Sequence, residues 1–299
     1  MPVTLIGGYL GAGKTTLVNQ SLRQAAGKRL AVLVNEFGEL PIDEDLIEAQ
    51  DDDLISIAGG CICCSFGSDL TAAMMKLADL DPRPDHILIE SSGVAMPGAI
   101  AQSILLLPQF EIQGVCVLAD CMNVWALSRD EYVGDTIARQ LSEANLIILT
   151  KTDLASEEQR LEVERWLAAQ WPQAAQVTAL RGHVPKAILL GDFSISHPFD
   201  LSIHDDQAYD SIVLNPDRPL DVEAFAQRLV ASSSGVLRAK GYVMDISGRI
   251  GLIQIVGTSV DVSFPETPGT LGVVCIGLRS RLLKARLLSF VTRAHVAHS

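Results

Sequence analysis

Eight residues near the start of the chain, Gly8-Tyr9-Leu10-Gly11-Ala12-Gly13-Lys14-Thr15, spell G-x4-G-K-[ST] between an apolar run at 3–7 and a helix-forming stretch at 14–26. Glycines at this density let successive backbone N–H groups turn inward on phosphate oxygens, and a helix opening at the loop's end adds its positive dipole end. The pattern needs a strand, a tight loop and a helix in that order, so it commits this part of the chain to an α/β layer. It predicts that Lys14 reaches the β and γ phosphates of a nucleotide and that the Thr15 hydroxyl coordinates Mg2+. Gly8, Gly11, Ala12, Gly13 and Thr16 complete the cradle. A glycine turn that holds no ligand is the alternative.

The first 180 residues alternate Val-, Ile- and Leu-rich runs with helix-length segments, the pattern of βαβ units building a parallel sheet. Strands are predicted near 3–7, 30–35, 54–58, 86–91, 115–120, 145–150 and 176–178, with helices within 14–26, 69–80, 98–107, 136–141 and 156–169. Periodicity fades from Gly182 to about Asp210, where Gly, Pro, His and Asp become frequent. The expected organisation is a P-loop NTPase domain with a mostly parallel sheet at 1–182, a linker at 183–210 and a small α+β domain at 211–299. That second domain should carry a strand (211–215), a helix (219–231), strands near 236–245, 250–256 and 273–277, and a basic helix at about 280–291.

Charge and cysteine count exclude several function classes. With 23 Lys and Arg against 36 Asp and Glu, the net charge of −13 argues against the basic surface that binding a phosphate backbone needs. No apolar stretch reaches the 18 or so residues of a membrane span. The N-terminus lacks a basic, cleavable leader, so a cytoplasmic address is expected. Six Cys in 299 residues are too sparse for a disulfide scaffold.

Two further segments extend the nucleotide reading. Thr150-Lys151-Thr152-Asp153 follows a strand at the carboxyl edge of the sheet and resembles the guanine motif N-K-x-D. The Asp153 carboxylate can accept the N1–H and 2-amino hydrogens of guanine, which adenine does not offer in that arrangement, while the Lys151 stem covers the base. Thr150 replaces the motif's Asn, which alters one polar contact. The competing reading makes Asp153 a helix N-cap. Upstream, the strand at 86–90 ends in Glu90-Ser91-Ser92-Gly93, where a P-loop protein keeps its second magnesium-side carboxylate. Glu90 is therefore a candidate for Mg2+ through water and the Gly93 N–H for the γ-phosphate, against the alternative of a solvated Glu.

Gly60-Cys61-Ile62-Cys63-Cys64 follows a predicted strand. Thiolates at i, i+2 and i+3 can converge on a borderline cation such as Zn2+ or Co2+. A vicinal redox pair and three small buried hydrophobes are the competitors. Residues 30–75 carry ten acidic side chains and no Lys or Arg, a field that concentrates divalent cations.

Together these residues resemble the CobW-type GTPases, metal-handling P-loop proteins related to the hydrogenase and urease nickel-insertion GTPases. The phosphate loop at 7–16, Val34-Asn35-Glu36-Phe37-Gly38-Glu39 as a first switch, the G-C-x-C-C run at 60–64, Glu90–Gly93 and Thr150–Asp153 occur in the family's order. Arg238-Ala239-Lys240-Gly241 and Val274-Cys275-Ile276-Gly277 are similar to its C-terminal module. The resemblance implies GTP hydrolysis, and zinc or cobalt carried on Cys63 and Cys64, then Cys61, for transfer to a metal-requiring client protein. Val34 stands where some members have a Glu usable as a ligand, and the histidines His183, His197 and His204 are scattered rather than gathered in a run.

The resulting expectation is a GTPase whose nucleotide state controls a thiolate metal site, with Lys14, Glu36, Asp43 and Glu90 as candidate catalytic residues. Glu36 or Asp43 is the candidate to orient the attacking water. Partners are a client of unknown identity, with no nucleic acid and no membrane, and the oligomeric state is left open, a homodimer included. The alternatives are an ATP-dependent kinase or ligase with structural cysteines, and a metal-responsive regulator that does not hydrolyse its nucleotide. The basic residues Arg279, Arg281, Lys284, Arg286 and Arg293 near the C-terminus offer a surface for an acidic client.

Overall fold

The computed structural model describes residues 1–23, 28–35, 54–59, 68–179, 181–191, 209–231 and 234–291. The chain divides into two compact units, Met1–Leu190 and Gly191–Ser299.

In the first unit the described elements are β1 (Pro2–Gly8), α1 (Lys14–Arg23), β2 (Leu30–Asn35), β3 (Leu54–Gly59), α2 (Ser68–Ala78), β4 (His86–Glu90), α3 (Pro97–Leu105), β5 (Glu111–Asp120), α4 (Val124–Leu127), α5 (Gly134–Ser142), β6 (Leu146–Thr150), α6 (Glu157–Gln170), β7 (Ala175–Thr178) and α7 (Lys186–Leu189). The strands form one sheet in the order β3-β2-β4-β1-β5-β6-β7, and every neighbouring pair is parallel. The α/β class read from the sequence is thus the observed one. Central strands of a parallel sheet are covered on both faces and read as continuous apolar runs. His86–Glu90 and Leu146–Thr150 are accordingly buried at every position. Leu5, Leu33, Ile89, Val117 and Leu149 from the sheet meet Met74, Leu77, Ile104, Ile137 and Leu167 from the helices in one core. Burying each such side chain contributes about 1.5–3 kcal/mol.

Strand order positions the site. The chain leaves β1 for β2 on one side and, after β4, returns past β1 to β5 on the other, so the direction of winding reverses beside β1. Ligands of open α/β sheets sit in the crevice at such a reversal, beyond the carboxyl ends of the strands. Register places Ile6 opposite Glu90 and Gly8 opposite Leu118, which aligns the ends of three strands there.

Residues 183–190, assigned from fading periodicity to the linker, fold with the first unit. They carry α7, whose Ala187, Ile188 and Leu189 are buried, and the Leu189 carbonyl accepts from Thr4 Oγ1 at 3.2 Å. Four residues are too few to show a helical period, and Gly182 and Pro185 ahead of them mimic a linker. All three tryptophans of the chain also gather in this unit. Trp125 of α4 stacks on Trp166 of α6, with ring centroids 6.1 Å apart, and Trp171 meets Trp166 edge-on at 5.3 Å. The Arg129 guanidinium caps the Trp125 ring at 4.9 Å.

The second unit contains β8 (Tyr209–Leu214), α8 (Val222–Ala231), β9 (Val236–Met244), β10 (Ile250–Val256), β11 (Ser259–Ser263), β12 (Gly272–Leu278) and α9 (Lys284–Leu288). Its antiparallel sheet has the order β11-β10-β9-β12-β8. Val222, Phe225 and Leu229 of α8 pack on Ala239, Val243, Ile253, Ile255, Val273 and Cys275. Burial pushes the Cys275 thiol up to about 12, so it stays protonated.

Two features of this unit differ from the sequence reading. Strand β11 was not anticipated, although Gly257 (φ 59) between Ile250–Val256 and the alternating Ser-Val-Asp-Val-Ser is a two-residue hairpin signal. The expected basic helix at 280–291 is helical only over Lys284–Leu288, because Arg281, Leu282 and Leu283 turn back to bond the carbonyls of Leu278 and Ser234. Lys284 is committed to Asp210 of β8 at 2.8 Å. Arg293 lies outside the described residues.

Candidate functional site

The loop between β1 and α1 turns on its glycines. Gly8 has φ +136, and a Cβ on it would stand 2.8 Å from the Leu118 carbonyl oxygen, so only glycine lets the chain leave β1 this close to β5. Gly11 and Gly13 also have positive φ, 73 and 96. Lys14, at the start of α1, is buried, and its Nζ donates to the carbonyls of Gly8 (2.9 Å) and Tyr9 (3.3 Å). The ammonium group therefore already lies inside the loop. Thr16 faces outward one residue beyond Thr15 and packs against Gly182, where a Cβ would come within 2.7 Å of Thr16 Cγ2.

Thr15 Oγ1 donates to Glu90 Oε1 at 3.1 Å. The contact follows from topology, because β4 lies beside β1 and ends level with the loop. Glu90 is 3% exposed and is not a solvated strand-end carboxylate. A hydroxyl and a carboxylate converging at a phosphate loop form a set of hard oxygen donors, which fits Mg2+.

The segment after β6 is tied to the phosphate loop. Thr150 is buried, and its Oγ1 donates to the Ala12 carbonyl at 2.8 Å, with the Ala119 carbonyl farther off at 3.4 Å. The threonine that replaces Asn in the guanine-type motif thus supplies a strut of its own. Lys151 adopts φ 55, uncommon for a side-chain-bearing residue. Its Nζ is held by Asp120 Oδ2 at 2.8 Å. Asp120, at the end of β5, also accepts from the Met122 N–H (2.9 Å) and from Asn123 Nδ2 (2.8 Å). Asp153 is exposed in the following turn. It is not the cap of α6, since Ser156 fills that place and its side chain accepts from the Gln159 N–H.

Between β4 and α3 the chain passes close to the loop at Gly93. A Cβ on Gly93 would meet Leu10 Cδ2 at 2.4 Å and Leu10 N at 2.9 Å. From the other side Gln140 of α5 donates to the Gly93 and Ala95 carbonyls. Leu10 and Gln140 share the wall of a cavity of about 170 Å3 with Val117, Val124, Ile137 and Leu141.

The structure thus brings Gly8, Gly11, Ala12, Gly13, Lys14, Thr15, Glu90, Gly93 and Lys151 to one edge of the sheet. Glu36, Asp43, Cys61, Cys63 and Cys64 lie outside the described residues, as do His197 and His204. Asp120, Asn123 and Gln140 were missed in the sequence. An acid at the end of a strand, as at Glu90, was a readable sign for Asp120, whereas Gln140 carries no motif. Next to Asp120, Cys121 is buried, and desolvation, then the Asp120 charge, raises its thiol pKa, which keeps it a protonated packing group.

Residues 2–179 match the family model described as CobW/HypB/UreG, nucleotide-binding domain, and residues 209–290 match the cobalamin synthesis protein cobW C-terminal domain. The zinc chaperone CobW of a Sinorhizobium species is 31% identical, over 90% of this chain and 89% of that protein. The zinc chaperone YjiA of Escherichia coli is 34% identical over 80% of each chain. The zinc-regulated GTPase metalloprotein activator 1 of Dictyostelium discoideum is 29% identical over 88% of this chain and 67% of its own.

Proposed function

The chain belongs to the CobW/HypB/UreG nucleotide-binding family, and on that premise we propose that it is a GTP-hydrolysing metallochaperone, acting in the cytoplasm. In this reading Cys61, Cys63 and Cys64 bind zinc, or cobalt, as cargo and release it to a metal-requiring client in a nucleotide-dependent way. The observation that carries it is the convergence on one loop of the buried Lys14, the Thr15–Glu90 pair and the Thr150 strut. A cradle, a hard-oxygen pair and a base-side segment are there joined by direct hydrogen bonds. Names given to relatives, zinc chaperone and zinc-regulated GTPase, favour a metal cargo and guanine nucleotide.

Each residue then has a task. Lys14 exchanges the loop carbonyls for phosphate oxygens, and Thr15 and Glu90 hold Mg2+, which neutralises charge on those oxygens when bound. Lys151 covers the base, and Asp153 accepts from the guanine N1–H and 2-amino group. Gly93 offers its N–H to the γ-phosphate, and Glu36 or Asp43 orients the attacking water. The segments carrying Glu36–Asp43 and Cys61–Cys64 both follow strands of the phosphate-binding sheet. Ordering them around a triphosphate assembles the sulfur site, and hydrolysis loosens it.

Three measurements on the full chain test this. GTP should displace a bound fluorescent guanine nucleotide at far lower concentration than ATP does, and equal potency removes the guanine assignment. Zn2+ affinity should differ between chain loaded with GDP and chain loaded with a non-hydrolysable GTP analogue. The double substitution Cys63→Ser, Cys64→Ser should weaken Zn2+ by orders of magnitude and spare GDP. Unchanged zinc affinity in that variant takes the cysteines out of the mechanism.

A further inference from the structure

The segment from Ser91 to Gly98 joins the end of β4 to α3 and is gripped from two sides. On one side Gly93 lies so close to Leu10 of the phosphate loop that no side chain fits between them, the backbone nitrogen of Leu10 included. On the other side stands α5. Gln140, 1% exposed, sends both hydrogens of its amide to this segment, to the Gly93 carbonyl at 3.1 Å and the Ala95 carbonyl at 2.9 Å. Just past the end of α5, its C-cap Glu143 accepts through Oε2 from the Gly98 N–H at 2.7 Å, at the start of α3.

A buried glutamine in a helix has to be hydrogen-bonded, but a core apolar residue would need no partner at all. Here both donors are spent on a loop more than forty residues earlier in the chain, and one of them on Gly93, which has no side chain to stiffen it. Glycine is the most freely rotating residue, so fixing its carbonyl removes the ψ freedom that would let its peptide turn away from the loop. The hydroxyl oxygens of Ser91 and Ser92 are buried without a hydrogen-bond partner among the described residues, and so add no such restraint.

We propose that Gln140 is a positioning residue for the triphosphate. Working with Glu143, it holds the Gly93 backbone against the phosphate loop and thereby sets the preference for tri- over diphosphate. The inference rests on the nucleotide reading above and extends it to a residue that touches no phosphate. Because α5 runs directly into β6, the same helix that fixes Gly93 leads to Thr150, so the γ-phosphate side and the base side of the site share one support.

The test compares Gln140→Met, which keeps length and apolar bulk but has no donor, with the wild-type chain. Each is titrated with Mg2+–GDP and with a Mg2+-bound non-hydrolysable GTP analogue, and unfolding midpoints are recorded. The expected result is a loss of about tenfold in affinity for the triphosphate analogue, as for two buried hydrogen bonds, with GDP affinity within about twofold of wild type. Equal weakening of both nucleotides, or no change in either, overturns the proposal, since a merely structural tie does not discriminate between them. If Gln140→Met does not fold, Glu143→Ala, at a half-buried position, should show the same selectivity at about threefold; its absence overturns the proposal too. A wild-type chain that binds neither nucleotide would instead refute the phosphate-loop reading itself.

Discussion

Thr150→Val isolates one hydrogen bond at the centre of the site. Valine matches threonine in shape, so the change removes the hydroxyl without opening a cavity, and the Ala12 carbonyl loses a donor at 2.8 Å inside a buried contact. A buried bond of this kind is worth about 0.5–1.5 kcal/mol net, and a carbonyl left short of its partner raises the cost to about 1–3 kcal/mol. For a unit the size of Met1–Leu190 this lowers the unfolding midpoint by roughly 2–10 °C. The same carbonyl belongs to the phosphate loop, so part of the loss should appear as about three- to tenfold weaker GDP binding. Differential scanning fluorimetry with and without GDP, together with calorimetric titration, reads both quantities. Thr150→Ser keeps the hydroxyl and should stay near wild type in affinity. If Thr150→Val matches wild type in midpoint and affinity, the strut carries no energy, and the connection drawn between base segment and phosphate loop is wrong.

Three other substitutions probe separate links. Lys14→Ala should weaken GTP by at least about 100-fold, because a charge-assisted grip on phosphate is lost; calorimetric titration that returns the wild-type constant would refute the assignment. Ser156→Ala removes the cap of α6 and should cost about 1 kcal/mol, with a midpoint about 2–4 °C lower and GDP affinity unchanged. In the second unit, the hydrogen bond from Lys284 holds the Asp210 carboxyl below its usual pKa. A depressed carboxylate stabilises the fold above its unfolded-state pKa of about 4 and loses that contribution as pH falls through the lower folded value. Asp210→Asn should therefore be less stable at neutral pH, by under about 1 kcal/mol for so exposed a pair. In urea unfolding its deficit should shrink in acid below the carboxylate range, and a deficit that grows there contradicts the sign.

Residues 8–15 forced the strand, loop and helix that the structure contains, because only glycine permits the backbone to leave β1 against Leu118. The acid at Glu90 was readable for a similar reason, being the last residue of an apolar run. Thr150 was legible in position but not in effect. Sequence showed a missing Asn, whereas the structure shows a hydroxyl making its own bond to the loop. Gln140 was invisible, since a glutamine in an amphipathic helix reads as surface until its two carbonyl partners are known. Helix α7 escaped because a single turn has no period, and β11 because its alternation spans only five residues.

The gathering of Trp125, Trp166 and Trp171 at α4 and α6 leaves the second unit with no indole, while tyrosines occur in both units at Tyr9, Tyr132, Tyr209 and Tyr242. Intrinsic emission excited selectively at tryptophan consequently follows the melting of Met1–Leu190 alone, and comparison with the far-ultraviolet signal separates the two transitions without any added dye. Trp125 also sits on the helix that follows the Asp120 turn, which grips Lys151. The molecule thus carries a native optical gauge beside the segment assigned to the base.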